Sequence, residues 1–443
     1  MTAYYICFYH MLLTLSHIYE EFAHILNGCE GKMRGHLLFA ALLIALSSIG
    51  CAQAATIYVP DNYTKIQWAV DNATAGDTII VRDGIYYESI TVSKQLTIKS
   101  ENGSANCIVK GGGSDVFTLE ADGIRIEGFT ITGGNDDGIY LNYSNNNTII
   151  NNNISSNEDD GIYLRYSNNN SISNNNISSN DCDGIDLYKS NNNIISNNNI
   201  RSNDNDGIAL YSSNNNILNN SISNNWCGIH LCKSNNNISN NNISSNYYGI
   251  LLEFSSNNSI SNNNISSNGD YGIYLIYWSN DNSISYNNIS NNGYGIYLGY
   301  WSDNNIIYLN NFIDNTDNVY SEYSTNIWNS TEKITYTYKG STFTNYTGNY
   351  WDDYTGNDTN GDGIGDTPYS IGLDKDNYPL MERFENYFAP APTPTPTPTP
   401  TLTPTPTPSI PEFPAYSLLI AASCMIALAF MISRRGGRNK QRA

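Results

Sequence analysis

Soft metal ligands and positive charge are scarce in this chain. Eight cysteines, six methionines and five histidines are spread over 443 residues, and 21 Lys and Arg face 41 Asp and Glu. With Lys32, Arg34, three early glutamates and the basic tail set aside, 14 basic residues oppose 38 acidic ones, a formal charge of −24. Nucleic acid binding relies on clustered Lys and Arg, so nucleic acid is excluded as a partner. Four cysteines remain in the body, Cys107, Cys182, Cys227 and Cys232, too few and too scattered for a disulfide framework. Amphipathic helices are missing too. Apolar residues come in twos and singles rather than at i, i+3, i+4 and i+7 over ten or more positions.

What the chain has instead is a repeat. A Gly-Ile pair recurs at Gly138, Gly161, Gly184, Gly207, Gly228, Gly249, Gly272 and Gly295, spaced 23, 23, 23, 21, 21, 23 and 23 residues apart. A fixed period in the twenties marks a solenoid whose coils cannot bury their apolar side alone. In the copy starting at Gly161, Ile162 and Leu164 point inward from one short strand, Ile172 from a second and Ile177 from a third. Asparagine collects at the bends, where it tolerates left-handed backbone and can bond its equivalent in the next coil. The glycines are expected to supply a bend with no Cβ. Coils stacked about 4.8 Å apart make an all-β, right-handed parallel β-helix. In the two 21-residue copies the missing residues fall at bends, with Leu218 and Ile222, then Ile238 and Ile243, as the inward positions.

The ends read differently. Residues 1–32 look like a misassigned start, and Met33 opens a secretory signal over 33–54 closing on Ala52-Gln53-Ala54. The β-helix is expected over 55–320, its regular repeats over 138–315, and a small C-terminal β/loop module over 321–388. A Pro/Thr-rich linker follows over 389–410. Residues 411–443 hold an apolar run, Tyr416 to Ile432, and a basic tail, read as one membrane helix with its end in the cytoplasm. The body is then exported and held at the cell surface.

The glycines serve as an alignment frame. Immediately before them stand Asp137, Asp160, Asp183, Asp206, Cys227, Tyr248, Tyr271 and Tyr294, and one step earlier Trp226 and Tyr247. Carboxylates about 4.8 Å apart repel by about 3 kcal/mol at an effective dielectric near 20, so such a stack must splay into water, take up protons or bind cations. The functional reading is a Ca²⁺- or substrate-binding acid ladder beside a sugar-stacking platform of tyrosines, with Trp226, Tyr247, Tyr248, Tyr271 and Tyr294 as the ligand-binding residues. The plainer reading is that Asp-Gly makes good turns. Arg165 and Lys189, near Asp160, Asp183 and Asp206, form the one catalytic constellation on offer, though no acid pair stands apart from the repeat.

Asp358, Asn360, Asp362 and Asp366 have the spacing of a Ca²⁺ loop, with Ile364 where such loops use a backbone carbonyl and Gly363 at the sharp turn. Tyr369 replaces the Glu expected at the last position, and a plain Asp-Gly turn is the alternative. Gly361, Gly363 and Gly365 precede no helix and make no nucleotide site. Asn153, Asn176, Asn242, Asn264 and Asn288 begin Asn-Ile-Ser sequons and are glycosylation candidates, although Asn-Ile-Ser is also the repeat's own structural unit.

The Gly-Ile-x-Leu, Ser-Asn-Asn and Asn-x-Ile-Ser-x-Asn pattern over about residues 120–315 resembles NosD-type repeats of the CASH group, carbohydrate-binding proteins and sugar hydrolases with pectin-lyase-like β-helices. Thr56-Ile57-Tyr58-Val59-Pro60 to Gly84-Ile85-Tyr86-Tyr87-Glu88 resembles that superfamily's opening coils. Gly348-Asn349-Tyr350-Trp351 to Tyr378-Pro379-Leu380 resembles a module closing many archaeal surface proteins. Pro411-Glu412-Phe413 and its apolar run look like a PEF-CTERM signal, which implies processing by an archaeosortase-type enzyme. The NosD name also implies copper. Within the body, however, His230 is the one His and Met381 the one Met, with Cys232 two residues beyond His230, so copper is not expected and His230 is read as facing solvent. The expected function is non-catalytic binding of glycans or envelope components, with a polysaccharide lyase or hydrolase as the alternative.

Overall fold

A computed structural model describes residues 54–388. Its strands fall into three parallel sheets of 12, 11 and 12 strands that wind about one axis. The Gly-Ile strands form the 11-stranded sheet, in which Ile139, Ile162, Ile185, Ile208, Ile229, Ile250, Ile273 and Ile296 are register partners in succession. Ile162, Leu164, Ile172 and Ile177 are all fully buried, one set of the columns that fill the interior. Stacking identical branched side chains satisfies both the period-2 alternation of each strand and close packing along the axis.

Polar ladders line the corners inside the rod. Asn152, Asn175, Asn198, Asn220, Asn241, Asn263, Asn287 and Asn310 are buried, and from Asn175 onward each Oδ1 accepts the backbone N–H of the equivalent Asn one coil earlier, as from Asn175 to Asn198 at 2.9 Å. The Asn175 Nδ2 also donates to the Ile149 carbonyl at 3.0 Å. Bend amides that no strand pairs are thereby satisfied. Two parallel Asn ladders, through Asn170 and Asn180, and a Ser ladder through Ser167 repeat the device. The residue before a ladder Asn takes the left-handed conformation, as at Asn169 and Asn174 with φ of 58° and 55°.

Two sequence expectations change here. The repeat glycines do not have positive φ. They are required because a Cβ at Gly184 would lie 2.6 Å from the Gly207 carbonyl oxygen and 2.6 Å from Ile200 Cγ2. In the first 21-residue coil the inward residue is Ile217, paired with Ile195, and Leu218 faces outward. One missing residue lies before that strand, between Ser213 and Asn215, which shifts the register by one.

Both ends of the rod are covered. A short helix, Ile66–Asn72, buries Ile66, Ala69 and Val70 against the first coil. Glu88 accepts the Ile66 and Gln67 amides at 2.9 and 3.0 Å, while Lys94 Nζ donates to the carbonyls of Val70, Asp71 and Ala73. Unpaired groups at both helix ends are thus satisfied from the next coil. At the other end Tyr350–Trp351 extends the third sheet, and Asn349 continues the Asn310 ladder. Phe312, Trp351 and Tyr369 stack at 4.3 and 4.4 Å over the terminal coil. The fully buried Asp376 accepts from Asn349 N and Trp351 Nε1. The expected signal peptide up to Gln53, linker and sorting tail lie outside the described residues. Among the described residues, no helix is long and apolar enough to cross a membrane.

Candidate functional site

The outer face of the Gly-Ile sheet carries the chemistry. Its central outward column runs Tyr140, Tyr163, Asp186, Ala209, His230, Leu251, Tyr274, Tyr297 and Tyr320. The large rings lapse between Tyr163 and Tyr274. Where Asp186 and Ala209 replace them, a groove of about 550 Å³ opens. Aspartates 115, 136, 137, 159, 160, 183 and 186 line it together with Cys182, Asn205 and Tyr140, Tyr163 and Tyr211.

The pre-glycine aspartates are buried at the edge of this groove, so the stack does not splay into water. One oxygen of each is committed to the backbone: Asp115, Asp137, Asp160 and Asp183 accept the amides of Asp137, Asp160, Asp183 and Asp206 at 3.3, 3.1, 2.8 and 2.8 Å. Burial, then repulsion from neighbouring acids, raises Asp137 to about 8, Asp160 to about 9 and Asp183 to about 7. Asp186, with one buried oxygen lacking a partner, rises to about 8 for the same reasons. Proton uptake, of the three escapes open to a carboxylate stack, is therefore available to the ladder by itself. Asp159, Asp160 and Cys182, and separately Asp115, Asp136 and Asp137, bring three ligand atoms within 4.8 Å of one another.

The ladder ends in an ionic clamp. His230 Nδ1 lies 2.9 Å from Asp206 Oδ2 and Nε2 lies 3.3 Å from Glu253 Oε2, with 15% of the side chain exposed. The expectation of a solvent-facing His is overturned. Beyond it the aromatic half begins. Trp226 stacks on Tyr247 at 4.5 Å and 19°, and is 51% exposed. Tyr248 stacks on Tyr271 at 5.4 Å and 10°, and Tyr271 meets Tyr294 at 5.5 Å, tilted by 40°. The facing rings of Tyr248 and Tyr271 cover each other. Trp226 has Tyr247 stacked on one face, and the residue before it in the preceding coil is Asn205, which lines the groove.

Arg165 and Lys189 do not join the aspartates. Arg165 lies over Tyr166 at 5.6 Å and Lys189 over Tyr166 and Tyr188 at 5.5 and 5.1 Å, along the far edge of the strand. Among the described residues neither forms an ion pair. The catalytic constellation is not assembled. Sequence reasoning missed Asp115, hidden in a coil without the Gly-Ile pair, and Asp186, visible as the position where Tyr is replaced. It also missed a corner where Phe254, Tyr277, Trp278, Tyr300 and Trp301 are exposed in left-handed conformations.

In the Asp358–Asp366 loop the oxygens turn inward. Asp358 accepts from the amides of Gly361, Asp362 and Gly363, Asn360 Oδ1 from Asp362, Asp362 Oδ1 from Ile364, and Asp366 from Thr359. Of the sequon asparagines, Asn176 donates to Asn153 at 2.6 Å, Asn264 to Asn242 at 2.7 Å and Asn288 to Glu385 at 3.3 Å. The four cysteines are free.

Three comparisons bear on this architecture. A cell surface glycoprotein of Methanothermus fervidus is 41% identical over 129 residues, 28% of this chain and 21% of that protein, so the chain spans about a fifth of its relative's length. The A-module of a mannuronan C-5 epimerase from Azotobacter vinelandii matches with a TM-score of 0.50 at 17% identity, over 59% of this chain and 92% of that one. A family 28 exopolygalacturonase from Yersinia enterocolitica matches at 0.51 and 12% identity, over 62% and 76%. At such identities the two structures show the fold, a pectin-lyase-like β-helix, and nothing of the activity. With residues 70–238 and 211–356 matched, well over half of its length, the chain belongs to the family described as periplasmic copper-binding protein (NosD).

Proposed function

We propose that this chain is an exported β-helix rod of the cell surface that binds envelope carbohydrate along the groove from Asp115 to Trp226 without transforming it. The observation that carries this reading is the groove itself, where buried carboxyl groups with one oxygen free of protein hydrogen bonds lie beside tyrosines, with the exposed Trp226 indole one coil beyond the groove-lining Asn205. Carboxyl oxygens suit sugar hydroxyls, and an aromatic face suits the apolar face of a sugar ring. Of the five aromatic residues in the platform, Trp226 is the one we assign to ligand contact. The stacking of Tyr248 and Tyr271 on each other is accounted for by fold stability.

The placement of the charges supports binding without turnover. Each pre-glycine acid is a rung of one ladder, and the cations that a lyase would use lie elsewhere. The resemblance to a cell surface glycoprotein supports the location. Attachment through residues 411–443 and trimming by an archaeosortase-type enzyme belong to the same proposal, and the intact mass of the mature protein tests both.

The direct test is a glycan array of neutral and uronate polymers. Trp226→Ala is expected to weaken binding about tenfold while leaving the thermal midpoint unchanged. New reducing ends or unsaturated products, abolished by Asp183→Ala, would replace this reading with a lyase or hydrolase. Ca²⁺ in the Asp358–Asp366 loop is a structural proposal resting on ligand spacing. Chelation should lower the melting midpoint of the C-terminal module, and an unchanged melt removes the ion.

A further inference from the structure

The family description names copper, a metal whose protein sites draw on imidazole nitrogen and on cysteine and methionine sulfur. Among the described residues that donor set is His230, Met381 and four cysteines. His230 is the one imidazole among them. Its two ring nitrogens are both taken, by Asp206 Oδ2 at 2.9 Å and Glu253 Oε2 at 3.3 Å. A carboxylate can only accept a hydrogen bond, so a ring that bonds two of them carries a proton on each nitrogen and has no lone pair left for a metal. The two acids come from the coils before and after His230, so the clamp is tied into the stacking register and is not a loose surface contact.

The sulfur ligands are no better placed. Cys227 is fully buried and its Sγ donates to the Ile229 carbonyl at 3.3 Å. Cys107 is also buried, in an early coil of the third sheet, and burial pushes its thiol up to about 12, away from the thiolate a metal needs. Met381 sits in the C-terminal module, its amide held by Tyr387. Neither grouping of three candidate ligand atoms includes His230, and the one that contains Cys182 sets that thiol among acids, where burial and then Asp183, Asp160 and Asp159 push it far above its ordinary range, as burial and Glu253 raise Cys232. The donors present do not fit copper.

We infer that the described part of this chain has no copper site, and that His230 is instead a fixed cationic rung that holds Asp206 and Glu253 and closes the acid groove against its aromatic half. The groups facing the imidazole are Asp206 and Asp183 from the preceding coils, Glu253 from the following one and the edge of the Tyr211 ring at 5.7 Å. Burial works against the charge, but the two carboxylate hydrogen bonds outweigh it and raise His230 to about 9. His230 is thus a positioning residue for the groove wall.

The test uses the full chain, so copper bound by ligands outside the described region is measured in every variant alike. Cu(I) and Cu(II) are titrated against a competing chelator into the unmodified protein, Cys182→Ser, Met381→Leu and His230→Gln. Copper affinity is expected to be the same in all four, with the His230 ring resonances neither shifted nor broadened by Cu(II). In metal-free protein those resonances should titrate well above the ordinary His value of 6.5. One equivalent of copper whose affinity falls about tenfold or more in Cys182→Ser, or in His230→Gln, would overturn the inference. If that variant fails to fold, the unmodified protein still decides: a His230 titrating near 6.5 with resonances broadened by stoichiometric copper would overturn it as well.

Discussion

A methyl group is enough to test the repeat glycines. At Gly184 an added Cβ meets the next coil's backbone and a buried isoleucine at 2.6 Å, and neither is the flexible end of a side chain. Gly184→Ala should cost about 2–3 kcal/mol by overpacking and lower the denaturation midpoint, whereas Gly112→Ala, with open space around it, should not. The acid ladder makes a second prediction at this scale. Asp137, Asp160, Asp183 and Asp186 keep their protons in the fold up to about pH 8, 9, 7 and 8, while the unfolded chain releases them near 3.8. Folding takes up protons across that window, so stability falls as pH rises from about 4 toward 9. His230 acts in the same direction: its contribution is complete below 6.5 and lost as pH rises through about 9. Asp77, held low by hydrogen bonds from the Thr74 and Ala55 amides and the Thr74 hydroxyl, works the other way and loses its contribution only in acid. Calorimetry from pH 4 to 9 should therefore show a midpoint that is highest in mild acid and drops into the alkaline range. Asp160→Asn should flatten that drop.

At the scale of a strand and its bends, exposure of a sequon depends on its place in the outer ladder. Asn176 and Asn264 have their side-chain nitrogens engaged by the equivalent Asn one coil earlier, and a glycan at Nδ2 would cost that bond. Asn242 is exposed and follows Ser221 in register, so no asparagine precedes it to hold its nitrogen. Glycopeptide mass spectrometry of the native protein should find higher occupancy at Asn242 than at Asn176 or Asn264. Equal occupancy would mean that these sites are modified before the ladder forms. The inward Ile columns were legible from sequence because period-2 alternation and the Gly-Ile ruler agree. Leu218 was misplaced because the deletion that shifts its strand hides within a run of Ser and Asn, where removing either neighbour leaves the same text. The aromatic corner was invisible for a related reason. The coils beginning at Gly272 and Gly295 carry one extra residue before Ser279 and Ser302 and one fewer before the next coil, so the 23-residue spacing conceals the compensation. His230 and Asp186 acquire meaning only once coils 21 to 24 residues apart are set side by side.

At the scale of the whole rod, each strand among the described residues pairs with its counterparts in the adjacent coils, and both ends are covered by structure that the repeat does not supply. Stability should then behave as a sum of coil and interface terms, and an internal coil should be removable if the register closes again. Deleting residues 184–206 joins Asp183 to Gly207 and keeps the order of aspartate, glycine and isoleucine, the two inner Asn-to-Asn spacings and the parallel pairing partners. The shortened chain should fold with unchanged β-sheet circular dichroism and a slightly lower midpoint. Removing half a coil, residues 184–195, would place two strands of the same sheet, Asn176–Ser178 and Asn199–Arg201, in succession and should give an aggregated product. The same deletion bears on function. It takes out Asp186, puts Asp183 in the place of Asp206 before Gly207 so that the His230 clamp keeps two acids, and shortens the groove by one coil, about 4.8 Å. If the groove binds a glycan that lies along the axis, the deletion variant should be folded yet bind long polymers more weakly than the unmodified protein, by more than the loss seen with Trp226→Ala. Binding that survives the deletion undiminished would place the ligand elsewhere on the rod, with the exposed Trp278 and Trp301 corner the next surface to mutate.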